Sequence, residues 1–347
     1  MKIAVWLPNW IGDVAMATPA LRALRNHFAD AEIVGILRPY VADVLAGTSL
    51  LDRWWVHPPR LSRGDSWRLL RTLRRERFDV AVVLPNSLRT GLWAWASGAK
   101  RTLGYARNGR SVLLTDAIPA PSQNVPHPVV DEMLQLVGQL GCQALSRKLE
   151  LATLPQDEDQ LAAFWRRHPA ANSSNYVCLN TGGAFGAAKD WPTEYFSELS
   201  RRLAGERNCT VLVICGPQER STAQRIETEA AHPRVVSLAI EPLSIGLTKA
   251  AVRNASLLVT TDSGPRHFAT AFDVPCLTLF GPTHIGWSET FHPLAVHLQH
   301  RLDCGPCQQR VCPLKHHRCL RELTVDHVFS EIVRRWPSCS AEVSKVA

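Results

Sequence analysis

No stretch of this chain approaches the ~18 consecutive apolar residues of a membrane-spanning helix. The start does not read as a secretory leader either. Its apolar run Ile3–Leu7 is short, and Pro8, Asn9 and Asp13 follow at once. Met1–Trp10 reads instead as a first core strand, and a cytosolic protein is expected. Neither Gly-x-Gly-x-x-Gly nor Gly-x-x-x-x-Gly-Lys-Ser/Thr occurs, which removes the simplest dinucleotide and P-loop readings. Self-similarity at a period of roughly 20–50 residues is also missing, which excludes solenoids and propellers. The basic residues are not interleaved with aromatics in a recognition motif, so no nucleic-acid partner is expected.

What is present is a chain of 347 residues, 46% hydrophobic. That is enough for two domains of about 150 residues, each with its own core. Ten cysteines in a chain of this length without a leader point to reduced thiols. Cys142, Cys178, Cys209, Cys215 and Cys276 are scattered, several within apolar runs where free cysteine behaves as a small hydrophobe. The net charge of +8 is uneven. Residues 1–150 hold 19 Lys and Arg against 12 Asp and Glu, whereas residues 151–347 hold 20 against 19. A surplus confined to one half is the footprint of an anionic partner or of a solvated basic face.

Short apolar runs alternate with helical patterns. The first series is strand Lys2–Leu7, helix Val14–Phe28, strand Glu32–Leu37, a strongly basic helix Trp67–Arg77 and strand Asp79–Leu84. The second is strand Tyr176–Asn180, helix Thr193–Glu206, strand Cys209–Cys215, helix Gln218–Ala231, strand Ser256–Thr260, helix Pro265–Phe272, strand Pro275–Phe280 and helix Val325–Trp336. Such alternation predicts an α/β protein with parallel sheets covered on both faces. A charged helix and the breaker-rich run 168–175 predict the division: one domain over 1–160, a second over 172–336 and a frayed tail over 337–347. Residues 117–128, with four prolines, predict a loop within the first half.

Ligands of open parallel sheets bind beyond the carboxyl ends of the strands, so the strand-to-helix turns carry the candidate chemistry. The first turn reads Pro8-Asn9-Trp10-Ile11-Gly12-Asp13. Asp13 opens a helix, where an acid either caps free N–H groups or acts as a general base at the lip of a cleft. The second half opens on Asn180-Thr181-Gly182-Gly183, continuing to Lys189-Asp190-Trp191-Pro192. A glycine turn after a strand can cradle phosphates, and Lys189 can add a point charge against a diphosphate. Glu219, just past the next strand, can accept bonds from ribose hydroxyls or simply start a helix. The strongest local signal is Asp262-Ser263-Gly264-Pro265-Arg266-His267. Asp262 and Ser263 are N-cap types, Gly264 lets a ligand approach, and His267, one turn in, can reach a phosphate or bond to backbone. Gly281-Pro282-Thr283 closes the following strand.

Cys304-x2-Cys307-x4-Cys312-x6-Cys319 gathers four thiols, with His316 and His317 between them. Four soft ligands suit zinc, but the spacing departs from paired Cys-x-x-Cys. The expectation is a metal-free cysteine loop without a catalytic role, with structural zinc as the alternative. In the basic helix, Leu69, Leu70 and Leu73 form an apolar stripe that leaves Arg68, Arg71, Arg74 and Arg75 on the solvent side.

Taken in order, these motifs resemble the ADP-heptose:lipopolysaccharide heptosyltransferase family, over roughly residues 1–336. The opening Pro-Asn-Trp-Ile-Gly-Asp with Thr18-Pro19 is most similar to the branch that adds the second heptose. Lys189-Asp190-Trp191-Pro192, Asp262-Ser263-Gly264 with His267, and Phe280-Gly281-Pro282-Thr283 resemble the family's donor-binding half. The resemblance implies a GT-B fold, two Rossmann-like domains facing across a cleft, the first for the acceptor and the second for ADP-heptose. It implies an inverting, metal-independent transfer onto the inner core at the cytosolic face of the inner membrane. Asp13 would be the base and Lys189 would serve the leaving diphosphate. Thr181, Gly182, Glu219, Asp262, Ser263, Gly264 and His267 would hold the donor. Arg60, Arg63, Arg71, Arg74 and Arg75 would meet the anionic acceptor or the lipid surface carrying it. A transferase for another sugar nucleotide, or a binder without turnover, are the competing readings.

Overall fold

The computed structural model describes all residues except 58–61, 144, 172–174, 184 and 338–347, and leaves out the side chain of Arg63. Arg60 and nearly all of the expected tail therefore lie outside the described residues. The chain forms two compact units: Met1–Ala152 with Gly286–Thr290, and Thr153–Ile285 with Phe291–Ala347.

The first unit is built on a sheet of β1 (Lys2–Trp6), β2 (Glu32–Leu37), β3 (Arg53–Val56), β4 (Val80–Val83), β5 (Arg101–Tyr105) and β6 (Asp116–Ile118). The second is built on β7 (Tyr176–Asn180), β8 (Thr210–Ile214), β9 (Val235–Ser237), β10 (Leu257–Thr261), β11 (Cys276–Phe280) and β12 (Ala295–Gln299). The first sheet runs β3-β2-β1-β4-β5-β6, and the second runs β12-β11-β10-β7-β8-β9. Every neighbouring pair is parallel. Read from opposite edges, the two orders are the same doubly wound pattern. The central strands read as continuous apolar runs because helices cover both of their faces.

The division falls earlier than the breaker-rich run implies. Helix Pro155–Arg167 belongs to the second unit, because its apolar stripe Leu161 and Phe164 is buried there. Its polar side confirms the placement. Gln160 Nε2 donates to Pro242 O at 2.7 Å, and Arg167 pairs with Glu241 at 2.6 Å. The expected loop over 117–128 begins as strand β6 and is irregular after Ile118.

Helix Ile11–His27 carries Pro19 in its interior. An interior proline removes a helical hydrogen bond and typically costs about 3 kcal/mol. The buried Thr18 hydroxyl donates to the Ala15 carbonyl at 2.7 Å, the acceptor Pro19 cannot serve. The same oxygen accepts the Glu150 N–H at 2.9 Å, tying the end of the first unit to this helix. Among the described residues, no helix is long and apolar enough to cross a membrane.

Candidate active site

In a doubly wound sheet the two loops on either side of the order reversal splay apart and leave a crevice. In the second unit that reversal lies between β7 and β10. The turns after these strands are locked together. Asn180 Nδ2, at the end of β7, donates to Thr260 Oγ1 at 3.0 Å and to Ser263 Oγ at 2.7 Å. Gly183 lies so close to the second turn that an added Cβ would sit 2.9 Å from the Ser263 Cβ.

Asp262 does not cap the following helix. The cap position is Gly264, already helical at φ −53°, and no side chain caps it. The Asp262 carboxylate is drawn aside by Lys189 Nζ at 2.6 Å, Thr283 Oγ1 at 2.7 Å and Arg266 Nη1 at 3.3 Å. Lys189 also donates to the Asp262 carbonyl at 3.1 Å and stands 4.2 Å over the Phe185 ring. Burial alone would raise the Asp262 pKa, but the Lys189 and Arg266 cations hold it well below the usual carboxylate range. Two cations thus flank one carboxylate, and donors fixed in place in this way suit an anion.

Thr181, Gly182, Lys189, Glu219, Asp262, Ser263 and Gly264 all come from turns at the carboxyl edge of this one sheet. Glu219 and Asp190 both approach Gly182: an added Cβ there would lie 3.5 Å from Glu219 Cγ and 3.8 Å from Asp190 Oδ1. Burial and the Glu219 charge push the Asp190 carboxyl up, opposed by His317. His267 lies within the helix that follows the turn. It is 3% exposed within helix Pro265–Ala271, and burial with the Arg266 charge pushes its pKa well below the ordinary value. Burial thus favours its neutral form. Asn180, Arg266 and Thr283 were not singled out from the sequence. Arg266 carried a signal, since it stands four residues after Asp262 and in the first turn of the helix that follows it.

The order reversal of the first unit lies between β1 and β4. Asp13 is half-buried in the first turn of helix Ile11–His27, where negative charge suits the helix dipole. The loop after β4 is held by the fully buried Arg110, which donates to Pro85 O, to Asn86 Oδ1 at 3.0 Å and to Tyr105 O at 2.8 Å. Burial, and secondarily Arg107, pushes the Arg110 pKa down to about 10. A small cavity of about 70 Å³ in this unit is lined by Asn9, Arg38, His57 and Arg89 among others. The basic helix runs Arg63–Arg75, with Leu73 buried and Leu69 and Leu70 half-buried. Arg68, Arg71, Arg74 and Arg75 are exposed, as the stripe predicts.

Residues 66–318 match glycosyltransferase family 9 (heptosyltransferase). Lipopolysaccharide heptosyltransferase 1 of Pseudomonas aeruginosa is 36% identical over 333 residues, covering 90% of this chain and 87% of that protein. Lipooligosaccharide heptosyltransferase 2 of Campylobacter jejuni is 24% identical over 337 residues, covering 96% and 98%. The structure of the Escherichia coli ADP-heptose lipopolysaccharide heptosyltransferase II superposes with a TM-score of 0.81 at 22% identity, covering 97% of this chain and 99% of that one, and so shares its fold. With the family's match spanning most of its length, this chain belongs to glycosyltransferase family 9, the heptosyltransferases.

Proposed function

We propose that the protein transfers heptose from ADP-L-glycero-D-manno-heptose onto the lipopolysaccharide inner core, with inversion at the anomeric carbon and no metal in the chemistry. The observation that carries this reading is at the β7–β10 reversal. Three buried polar atoms there, Thr181 Oγ1, Thr261 Oγ1 and His267 Nδ1, have no hydrogen-bond partner among the described residues. They accompany the Lys189–Asp262–Arg266 cluster with its two cations. Buried polar groups normally find partners, so an orphaned set beside a fixed cation fits a polyhydroxylated, anionic ligand such as a nucleotide sugar.

In this reading Lys189 stabilises the charge that develops on the departing diphosphate, and Asp262 positions Lys189 for it. Glu219 accepts bonds from ribose hydroxyls, and neutral His267 donates or accepts a single hydrogen bond. Asp13 takes the proton from the acceptor hydroxyl as it attacks. The basic surplus of the first half favours an acceptor bearing Kdo carboxylates and phosphates, presented at the cytosolic face of the inner membrane.

The two sequence relatives carry different numbers, heptosyltransferase 1 at the higher identity and heptosyltransferase 2 at the longer coverage. The opening motif favours the second, with heptosyl-Kdo2-lipid A as acceptor. Purified protein incubated with ADP-heptose and either Kdo2-lipid A or its heptosylated form tests this, with products read by mass spectrometry in the presence of EDTA. Transfer to the heptosylated acceptor alone is expected. Transfer only to the unheptosylated one would reassign the step, and transfer only from another sugar nucleotide would reassign the donor.

A further inference from the structure

The cysteine segment after β12 has no part in the transfer reading. From residue 300 to 317 it contains no helix or strand, and no residue from 300 to 319 is buried. Val311 and Leu314 are 70% and 59% exposed. Ordering a residue's backbone costs about 1–2 kcal/mol, which apolar burial ordinarily offsets. A long irregular segment without a core of its own needs another source of order.

The four thiols supply one. Cys304, Cys307, Cys312 and Cys319 are all free, and with His316 and His317 they line the same cavity. Cys304 Sγ lies 3.8 Å from His316 Nε2. Gln308, Lys315 and His317 adopt left-handed backbone conformations, with φ of 59°, 57° and 50°. These three left-handed residues all fall between Cys307 and Cys319 and give the segment its tight turns.

We propose that Cys304, Cys307, Cys312 and Cys319 form a tetrathiolate site for one soft metal ion of the zinc or iron class, with a structural role. Among the described residues no three such side chains already surround one point. Binding therefore draws the sulfurs inward, to about 2.3 Å from a zinc ion, and a segment free of helix and strand can follow. The site would brace the glycine turn that carries Lys189. Gln308 N–H donates to Pro282 O at 2.8 Å, and Ala188 N–H donates to Arg310 O at 3.1 Å. Gly186, at φ 141°, presses so closely on Arg310 that an added Cβ would meet its carbonyl oxygen at 2.6 Å. Arg310 and Lys189 also both lie over the Phe185 ring. This consequence for the donor rests on the function proposed above, whereas the metal site itself does not.

The test uses the full chain, purified under reducing conditions without a metal-affinity column. Elemental analysis should find about one equivalent of zinc or iron per chain, and which metal is found decides between the two. The metal-free protein titrated with Co²⁺ should develop intense thiolate-to-cobalt charge-transfer absorption that saturates at one equivalent. Cys307→Ser and Cys312→Ser should each lower metal content and melting temperature and raise the ADP dissociation constant severalfold, with turnover at saturating donor largely kept. Metal-free protein that gives no cobalt absorption would overturn the site, as would two disulfides found in it by mass spectrometry. Full metal content in both serine variants would do the same. Because metal content and cobalt spectra do not depend on the donor, a failure of the transferase reading would leave these results unchanged.

Discussion

The two units share strand order and parallel pairing, and each reverses its order between the equivalent central strands. What fills the reversal differs. In the second unit, an aspartate, a lysine and an arginine form a buried ion cluster joined by a threonine. In the first unit, the corresponding loop is clamped on backbone carbonyls by a single buried arginine, while the candidate base Asp13 stays half-exposed. The second unit is prepared for a fixed charge, as a diphosphate would present. The first spends its buried cation on holding a loop and leaves its candidate base half-exposed.

Replacing the candidate base in the more open site should have the largest effect. Asp13→Asn keeps the shape and removes the proton affinity, and loss of a general base costs about 10²–10⁴ in rate. Turnover should fall by that order while ADP affinity, measured by calorimetry, stays within error. An Asn variant with near-normal turnover would leave Asp13 only its place in the first helical turn.

The prepared site should respond in the opposite way, through binding and stability. Lys189→Ala leaves Asp262 with Arg266 and Thr283 and removes the cation nearest its carboxylate. Breaking a buried pair by deleting one partner typically costs about 3–5 kcal/mol. Both the melting temperature and ADP affinity should drop. Asp262→Ala should do likewise, because it frees the two cations it positions. His267→Ala should weaken ADP binding less, since a neutral imidazole offers one hydrogen bond. If ADP affinity survives Lys189→Ala unchanged, the donor lies elsewhere.

This contrast bears on how much could be read from the sequence. The interior strands β1, β2, β4, β7, β8, β10 and β11 were legible because burial on both faces makes them apolar runs. The edge strands were not. β3 reads Arg-Trp-Trp-Val with alternating exposure, β6 and β9 have three residues each, and no residue of β12 is fully buried. β5 is interior, but it opens on an exposed arginine and contains Gly104. In the site, Lys189 and Asp262 were legible from turn chemistry, whereas Asn180 owes its place to partners 80 and 83 residues away. The same distance effect hid Arg110, whose carbonyl clamp depends on β4 and β5 being neighbours. The burial of His267 was not legible, because helical phase alone does not say which side of a short helix meets the core.

A smaller effect distinguishes the first unit by pH. At the amino-terminal end of its sheet, Glu76 accepts from Arg53 at 3.0 and 2.6 Å, from Lys2 at 2.9 Å and from Trp55 at 3.2 Å. The Arg53 hydrogen bonds, set against burial and helped by Lys2, hold its pKa down to about 2 from 4.5. A depressed carboxylate stabilises fully above its unfolded pKa and loses that contribution as pH falls through the folded one. Stability should therefore decline between pH 4.5 and about 2. Glu76→Gln should lower the melting temperature at pH 7 and flatten that acid limb. An acid limb unchanged in the variant would assign the loss to other carboxylates.

The smallest effect concerns the surface of the first unit. Helix Arg63–Arg75 is started by Ser62, whose hydroxyl accepts the Asp65 N–H at 3.0 Å, and is anchored by the buried Leu73. Trp67 is 65% exposed, beside the exposed Arg68 and Arg71. Arg74 bonds the Ala96 carbonyl through Nε at 2.8 Å and still reaches solvent. The apolar stripe is used for the core, so this helix can lie against an anionic surface but not insert into it. Each cation near such a surface contributes about 1 kcal/mol, and the attraction fades beyond a Debye length of about 8 Å at physiological salt. Replacing Arg71, Arg74 and Arg75 by Gln should raise the apparent KM for membrane-borne acceptor and leave the KM for ADP-heptose nearly unchanged. The difference from wild type should shrink as salt rises. Co-sedimentation with anionic vesicles, set beside kinetics on a soluble acceptor fragment, separates lipid attraction from direct acceptor contact. Reduced sedimentation with normal kinetics on the fragment assigns the arginines to the lipid, and the reverse assigns them to the acceptor. A triple variant that matches wild type in both assays at low salt would make this helix a solvated face and remove the charge asymmetry as evidence for an anionic partner.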